Sequence, residues 1–165
     1  MSEPKTIENK FKDTLSGDLL TNALDLVDYM RKIGMMNGED SGDDRFYYKD
    51  ELMCIFITFK DDMNPSGGLM IFDCPLTGHD GFPLDESVQE FVRAHVNKCG
   101  SCGGNCGHKE RGATKMIFGK EYDNLCSSEI AFFSPNAEAF EKIKKLMDLW
   151  KYKIDNIAGY SSQDR

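Results

Sequence analysis

The middle of the chain contains three strand-like segments separated by short turns. They are "RFYYK" (residues 45–49), "LMCIFITF" (residues 52–59) and "GLMIFDC" (residues 68–74), and all are rich in aromatic and β-branched residues. Short links between neighbouring strands require antiparallel pairing, because a parallel pair needs a crossover of a dozen or more residues. The sequence therefore predicts a three-stranded meander. Residues 52–59 form its central strand, since they are apolar on both faces.

Segments with helical periodicity flank this meander. They cover residues 19–33, residues 86–97 and a stretch that begins at "SPNAEAF", with Ser134 as its predicted N-cap. The apolar stripe of the last helix predicts core packing, because amphipathic helices usually face their own domain. Its members are Phe140, Ile143, Met147, Trp150 and Ile154. With two short strands at "TKMIFGKEY" and "SEIAFF", these elements predict an α+β fold with an antiparallel sheet packed against helices.

Length and composition indicate one domain. The chain has 165 residues, of which 40% are hydrophobic and 29% charged, which suits a single hydrophobic core. We predict a helix–meander–helix core over residues 16–97, and a cysteine loop, short strands and the last helix over residues 98–157. A frayed tail covers residues 158–165. The acidic stretch "NGEDSGDD" (residues 37–44) lacks the ligand pattern of a calcium loop, so we predict a solvated loop there.

Charge and hydropathy disfavour several classes of partner. The chain carries 28 Asp and Glu against 20 Lys and Arg, a formal net charge of −8. Nucleic acids and anionic membranes are bound through Lys and Arg, so neither is an expected partner. No apolar run approaches the roughly 20 residues that span a bilayer. The start, "MSEPKTIENKFKD", lacks the apolar segment of a secretory signal, so we expect a cytoplasmic protein.

Four of the six cysteines carry the strongest functional signal. The stretch "KCGSCGGNCGHKERG" contains Cys99, Cys102 and Cys106, and Cys126 follows in "YDNLCSSE". Two thiolates can bind one metal only if the chain turns between them, and the intervening glycines permit the positive φ angles of such a turn. All-thiolate zinc sites are usually structural, because four ligands leave no coordination position open. The spacing therefore predicts a zinc-finger-like loop in which these cysteines bind structural Zn²⁺.

Other uses of the cysteines stay open. An iron–sulfur cluster also takes four thiolates, although the spacing fits neither ferredoxin pattern closely. A redox pair usually lies at a helix N-terminus, whereas this C-x-x-C follows a helix. An extracellular disulfide framework is weakened by Cys54 and Cys74, which lie in strand-like runs and are typical of buried apolar residues. His95 and His108 are spare ligand candidates; we predict core packing for His95 and solvent exposure for His108.

Basic residues surround the cysteine loop, with only Glu110 opposing them over residues 98–120. Four thiolates on one Zn²⁺ leave a local charge of −2, which neighbouring cations offset. The same residues could instead form a nucleic-acid-binding patch. The acidic net charge of the chain argues against this alternative. These residues are Lys98, Lys109, Arg111, Lys115 and Lys120.

The C-terminal half of the chain also resembles a known family. The runs C-G-x-C-G-G-x-C, "IFGKEYDNLC" and F-x-x-P-x-A-E-A-F-x-x-x-K-K-L are similar to the C-terminal part of small uncharacterised bacterial proteins, seen mainly in fermentative Gram-positives. The similarity covers roughly residues 82–153. It implies that Cys99, Cys102, Cys106 and Cys126 act together, and it implies no activity.

No catalytic motif accompanies the cysteines. The chain lacks G-x-x-x-x-G-K-[ST], G-x-G-x-x-G and G-x-S-x-G, and three histidines leave few general bases, so no enzyme class is indicated. We predict a metal-binding module that binds a small molecule or a protein, its oligomeric state left open. The alternatives are a cytoplasmic regulator that contacts nucleic acid through the basic loop and an iron–sulfur or redox protein. Candidates to line a pocket, or to fill the core, are Phe46, Tyr47, Tyr48, Phe56, Phe59 and Phe72.

Overall fold

A computed structural model of the chain describes residues 5–40, 43–62, 64–72, 83–100 and 112–156. Its described pairs of strands are antiparallel, which confirms the predicted α+β class with an antiparallel sheet. By contact density the chain divides into two compact units, one formed by Met1–Ile71 and Phe133–Arg165 and the other by Phe72–Phe132. The helices are α1 (Ile7–Thr14), α2 (Gly17–Lys32), α3 (Glu86–Ala94) and α4 (Ala137–Asn156). The strands are β1 (Met36–Asp40), β2 (Asp43–Tyr48), β3 (Glu51–Asp61), β4 (Asn64–Phe72), β5 (Val96–Lys98), β6 (Ala113–Ile117) and β7 (Lys120–Phe133).

In the first unit, strands β1 to β4 lie side by side in chain order. A two-residue turn at Lys49 and Asp50 joins β2 to β3, and both residues have positive φ (50° and 66°). Such turns match the right-handed twist of the strands they join. Four consecutive residues of β3, 53–56, are buried, Cys54 among them. The predicted central strand and the buried environment of Cys54 are thus confirmed.

The meander is longer than the sequence predicts. Residues 37–40, predicted as part of a solvated loop, lie in β1, and Asp43 and Asp44 begin β2. The loop prediction is wrong because backbone pairing needs no apolar side chains. Among the described strands, β1 comes first in the sheet order and has a neighbour on one side only. Charged residues are common on such edge strands. β4 likewise begins at Asn64, within the predicted turn.

Helix α1 is an element that the sequence reasoning missed. Thr6 caps it, and Ile7 and Phe11, one turn apart, are buried. The Phe11 ring lies 5.8 Å from that of Phe56, which in turn lies 5.5 Å from that of Phe46. Two apolar residues in an otherwise polar segment are too few for periodicity to indicate a helix.

β4 passes close to the junction between α1 and α2. Gly67 has a φ of 77°, and a Cβ atom there would lie 1.9 Å from the carbonyl oxygen of Thr14. The Ser16 hydroxyl donates a hydrogen bond to the Ser66 carbonyl (3.1 Å) at the same junction. Only glycine combines this backbone conformation with this close approach.

Helix α4 packs against α2 and completes the core of the first unit. Its N-cap is Asn136, whose Oδ1 accepts a hydrogen bond from the Ala139 backbone at 2.9 Å. The predicted cap, Ser134, is wrong by two residues because this serine bonds to β4: its backbone N–H donates to the Leu69 carbonyl (2.6 Å) and its Oγ accepts from the Leu69 N–H (3.3 Å). The predicted stripe is buried at Phe140, Ile143, Met147 and Trp150 and half-buried at Ile154.

The end of α4 is joined to the turn between β2 and β3. Asp155 accepts hydrogen bonds from the Lys49 ammonium (2.6 Å) and the Tyr48 hydroxyl (2.9 Å). Lys151 donates to the same Tyr48 oxygen at 2.9 Å. The Lys49 hydrogen bond, then that of Tyr48, lowers the pKa of Asp155 from 3.8 to about 2.

In the second unit, β5 and β6 both pair with β7. Residues 114–122, predicted as one strand, contain a hairpin turn at Phe118 and Gly119, both with positive φ. From Lys120 onward β7 is one strand of 14 residues, which includes the second predicted strand. Helix α3 ends at Ala94 rather than near residue 97, because the residues that follow pair with β7.

His95 packs against aromatic rings, as predicted, but it is half-buried rather than in the core. Its ring lies 4.4 Å from that of Phe91 and 5.2 Å from that of Phe132, and its Nδ1 is 2.7 Å from the Phe91 carbonyl oxygen. His108 lies outside the described residues. None of the helices in the described part of the chain has the length and apolar character needed to cross a membrane.

Candidate metal centre

The structure describes two of the four predicted metal ligands. Cys99 follows β5 and is half-buried, while Cys126 lies in β7 with 8% of its surface exposed. None of Cys54, Cys99 and Cys126 is in a disulfide, so the disulfide alternative finds no support at these three positions. Cys102 and Cys106 lie outside the described residues. Within the described ranges no three His, Cys, Asp or Glu side chains are grouped to hold a metal, so a complete site depends on these two cysteines.

The pairing of β5 with β7 brings the segments of Cys99 and Cys126 together. Lys98 is the register partner of Leu125, and the Cys99 N–H donates to the Asn124 carbonyl at 2.7 Å. Cys99 therefore follows Lys98 and Cys126 follows Leu125, so both cysteines are next to the same cross-strand pair. The register of β5 on β7 shifts between Val96 and Lys98, because Val96 pairs with Ile130, and Cys126 lies on the stretch of β7 opposite this irregularity.

The far end of the cysteine loop returns to the same place on β7. The Gly112 N–H donates to the Leu125 carbonyl at 3.1 Å, and Ala113 is a register partner of Leu125. Both ends of the cysteine-rich stretch thus bond to consecutive residues, Asn124 and Leu125. Cys126 is the next residue along the strand, so the loop begins and ends beside the fourth predicted ligand.

The backbone around Cys99 has the predicted turn geometry. Gly100, the first glycine of the C-x-x-C motif, has a φ of 108°. Asn124 also has a positive φ (56°), which is uncommon within a strand but more accessible to asparagine than to most residues. Its Nδ2 donates to the Cys99 carbonyl at 3.1 Å.

Acidic residues of β7 and basic residues near the loop form ion pairs that the sequence reasoning missed. Lys98 Nζ lies 3.0 Å from Asp123 Oδ1, and its hydrogen bond lowers the pKa of Asp123. Lys115 Nζ lies 2.7 Å from Oε1 of Glu129, whose side chain is only 4% exposed. These acids follow the loop in sequence, so the register of β7 was needed to find them. Lys109 and Arg111 lie outside the described residues.

The aromatic candidates for a ligand pocket are placed differently from one another. Phe46 and Phe56 are buried in the core of the first unit, and Tyr48 bonds to Asp155. A cavity of about 620 Å³ lies in that unit where α2 and α4 begin. Its lining contains no aromatic residue and includes Asp18, Leu19, Thr21, Asn22, Ser134 and Asn136.

No family model matches the chain, and no curated protein or solved structure shows a significant similarity to it. The resemblance of residues 82–153 to small bacterial proteins therefore stays a prediction.

Proposed function

We propose that the chain is a metal-binding module in which Cys99, Cys102, Cys106 and Cys126 bind one structural Zn²⁺. The observation that supports this most is the β5–β7 register, which sets Cys99 and Cys126 beside the same cross-strand pair although the sequence separates them widely. Cysteine thiolates are among the usual protein ligands of tetrahedral zinc.

Chain connectivity is consistent with the remaining two ligands. Three peptide units of at most 3.8 Å separate Cys102 from Cys99, which keeps their Cα atoms within about 11 Å. Cys106 belongs to the stretch whose two ends bond to Asn124 and Leu125. If one ion is bound by Cys99 and Cys126, local turns of that stretch would be enough to bring the thiolates of Cys102 and Cys106 to it.

A closed set of four thiolates gives the metal a structural role. Such a site leaves no position for water or substrate, so the metal would fix the loop rather than perform chemistry. We therefore propose a non-catalytic module whose partner is a small molecule or a protein. Cys54, Cys99 and Cys126 are not disulfide-bonded, which is consistent with a cytoplasmic location, since disulfides rarely persist there.

The test is elemental analysis of the full chain purified without added metal. We expect one zinc per chain, lost in Cys99→Ser and in Cys126→Ser. Cys54→Ser is the matched control, because it removes a buried strand thiol from the other unit and should retain zinc. Iron with inorganic sulfide would support the cluster alternative. Metal-free wild-type protein that also fails to bind added Zn²⁺, or equal zinc in all variants, would contradict the proposal.

A further inference from the structure

We infer that Asn124, through its side-chain amide, holds the segments of Cys99 and Cys126 at a fixed separation and so preorganises the proposed zinc site, on which this role depends. Asn124 would act as a positioning residue, with no bond to the metal.

Asn124 holds both peptide groups of Cys99. Its carbonyl accepts from the Cys99 N–H (2.7 Å) and its Nδ2 donates to the Cys99 carbonyl (3.1 Å). Two residues of a regular antiparallel pair exchange both bonds through their backbones. Here the left-handed backbone of Asn124 is combined with a side-chain donor, so the second bond depends on the amide.

The same amide contacts the other end of the cysteine loop. A Cβ atom added to Gly112 would lie 2.8 Å from Oδ1 of Asn124, so the amide oxygen lies directly against that glycine. The Gly112 N–H donates to the carbonyl of Leu125, the residue that follows Asn124. One side chain therefore spans the gap between the two ends of the loop, with Nδ2 toward Cys99 and Oδ1 toward Gly112.

This arrangement lies two residues before Cys126 in the same strand. Thiolates repel one another before the metal arrives, so a site that is already closed binds metal more tightly than one that the metal must assemble. Groups that orient metal ligands without touching the metal typically contribute a factor of about 10–100 to metal affinity. We expect Asn124 to contribute at the lower end, because it holds the backbone of Cys99 rather than its sulfur.

Two substitutions separate the amide from the backbone conformation. Asn124→Gly keeps the left-handed φ accessible and removes the amide, while Asn124→Asp keeps the shape and removes the donor. Asn37→Ala is the matched control, since Nδ2 of Asn37 donates to the Arg45 carbonyl (3.3 Å) across a strand pair in the other unit.

The measurement is Zn²⁺ affinity of the full chain, from competition with a chromophoric chelator. We expect about tenfold weaker binding in both Asn124 variants and a change of less than twofold in Asn37→Ala. Because all four thiols remain, Co²⁺-loaded Asn124 variants should still show the absorption bands of tetrahedral thiolate coordination. Cys126→Ser should lose those bands.

The outcomes separate this role from the site itself. Zinc binding by the wild type with affinities within twofold in both Asn124 variants would refute the role of Asn124 and leave the site standing. No zinc binding by the wild type would overturn both. If Asn124→Gly fails to unfold cooperatively, Asn124→Asp decides, because it retains the wild-type shape.

Discussion

Replacement of Gly67 by alanine should destabilise the first unit strongly, because the added Cβ atom would clash with the backbone of Thr14. Gly17 is the matched control for this steric effect. Gly67 and Gly17 both have positive φ (77° and 59°), so alanine is strained at either position. A Cβ atom at Gly17 would meet no atom within 4 Å, whereas one at Gly67 would lie 1.9 Å from the Thr14 carbonyl oxygen and 3.3 Å from the Leu15 Cα. The two substitutions therefore differ chiefly in the steric contacts that the new Cβ atom would make.

The expected loss of stability follows from these two contributions. A left-handed conformation costs an alanine about 1–2 kcal/mol, which both variants share. At Gly67 the backbone oxygen of Thr14 must also move by roughly 1 Å to reach a tolerable contact, and overpacking of this kind costs about 1–3 kcal/mol. We therefore expect Gly67→Ala to lower the free energy of unfolding by about 2–5 kcal/mol, and Gly17→Ala by about 1–2 kcal/mol.

Urea denaturation followed by circular dichroism measures both variants against the wild type. The difference between them should be at least about 1 kcal/mol, a large fraction of the 5–15 kcal/mol typical of a domain. Equal destabilisation by the two substitutions, within about 0.5 kcal/mol, would show that β4 does not approach the α1–α2 junction as closely as described.

Three further outcomes are expected. Because the Lys49 hydrogen bond contributes most to the lowered pKa of Asp155, this carboxylate stabilises the fold above pH 3.8 and loses that effect as pH falls towards 2. The urea midpoint of the wild type should therefore drop more steeply over that range than that of Asp155→Asn; parallel curves would contradict this. Lys115→Met removes a cation from the buried Glu129 carboxylate and should lower the free energy of unfolding more than Lys98→Met, which disrupts an exposed pair and should cost less than about 1 kcal/mol. Both losses are read from urea melts, and equal losses would contradict this difference in burial. Random duplex DNA at low salt should not be retarded by the full chain, and a salt-sensitive gel shift would instead favour the nucleic-acid alternative.

Patterns of burial allow much of the fold to be predicted from sequence. Residues 52–57 are apolar without interruption, and a strand in the middle of a sheet is the simplest structure that buries such a run. The stripe from Phe140 to Trp150 likewise indicates a core helix, because its apolar residues recur every three or four positions. The Cys-x-x-Cys spacing and its glycine predict a turn with positive φ, which Gly100 has.

The missed features depend on contacts that are distant in sequence or carried by the backbone. β1 pairs with β2 through backbone peptide groups, and its acidic residues are typical of a loop, so the sequence pattern did not indicate a strand. Ser134 is a plausible cap until Leu69 is known to bond to it. The neighbourhood of Cys99 and Cys126 follows from the register of β5 on β7, and the left-handed Asn124 that supports it has no signature beyond asparagine's tolerance for that conformation.

The first unit is assembled from both ends of the chain, which has a consequence during synthesis. Helix α2 is made early, but α4, the helix it packs against, emerges only after the whole second unit. At about 5–20 residues per second, translation of residues 72–132 takes roughly 3–12 s. For that interval the face of α2 that packs against α4 lacks its final cover on the ribosome. The nascent chain should therefore be a good substrate for chaperones that bind exposed apolar surface of incompletely folded chains.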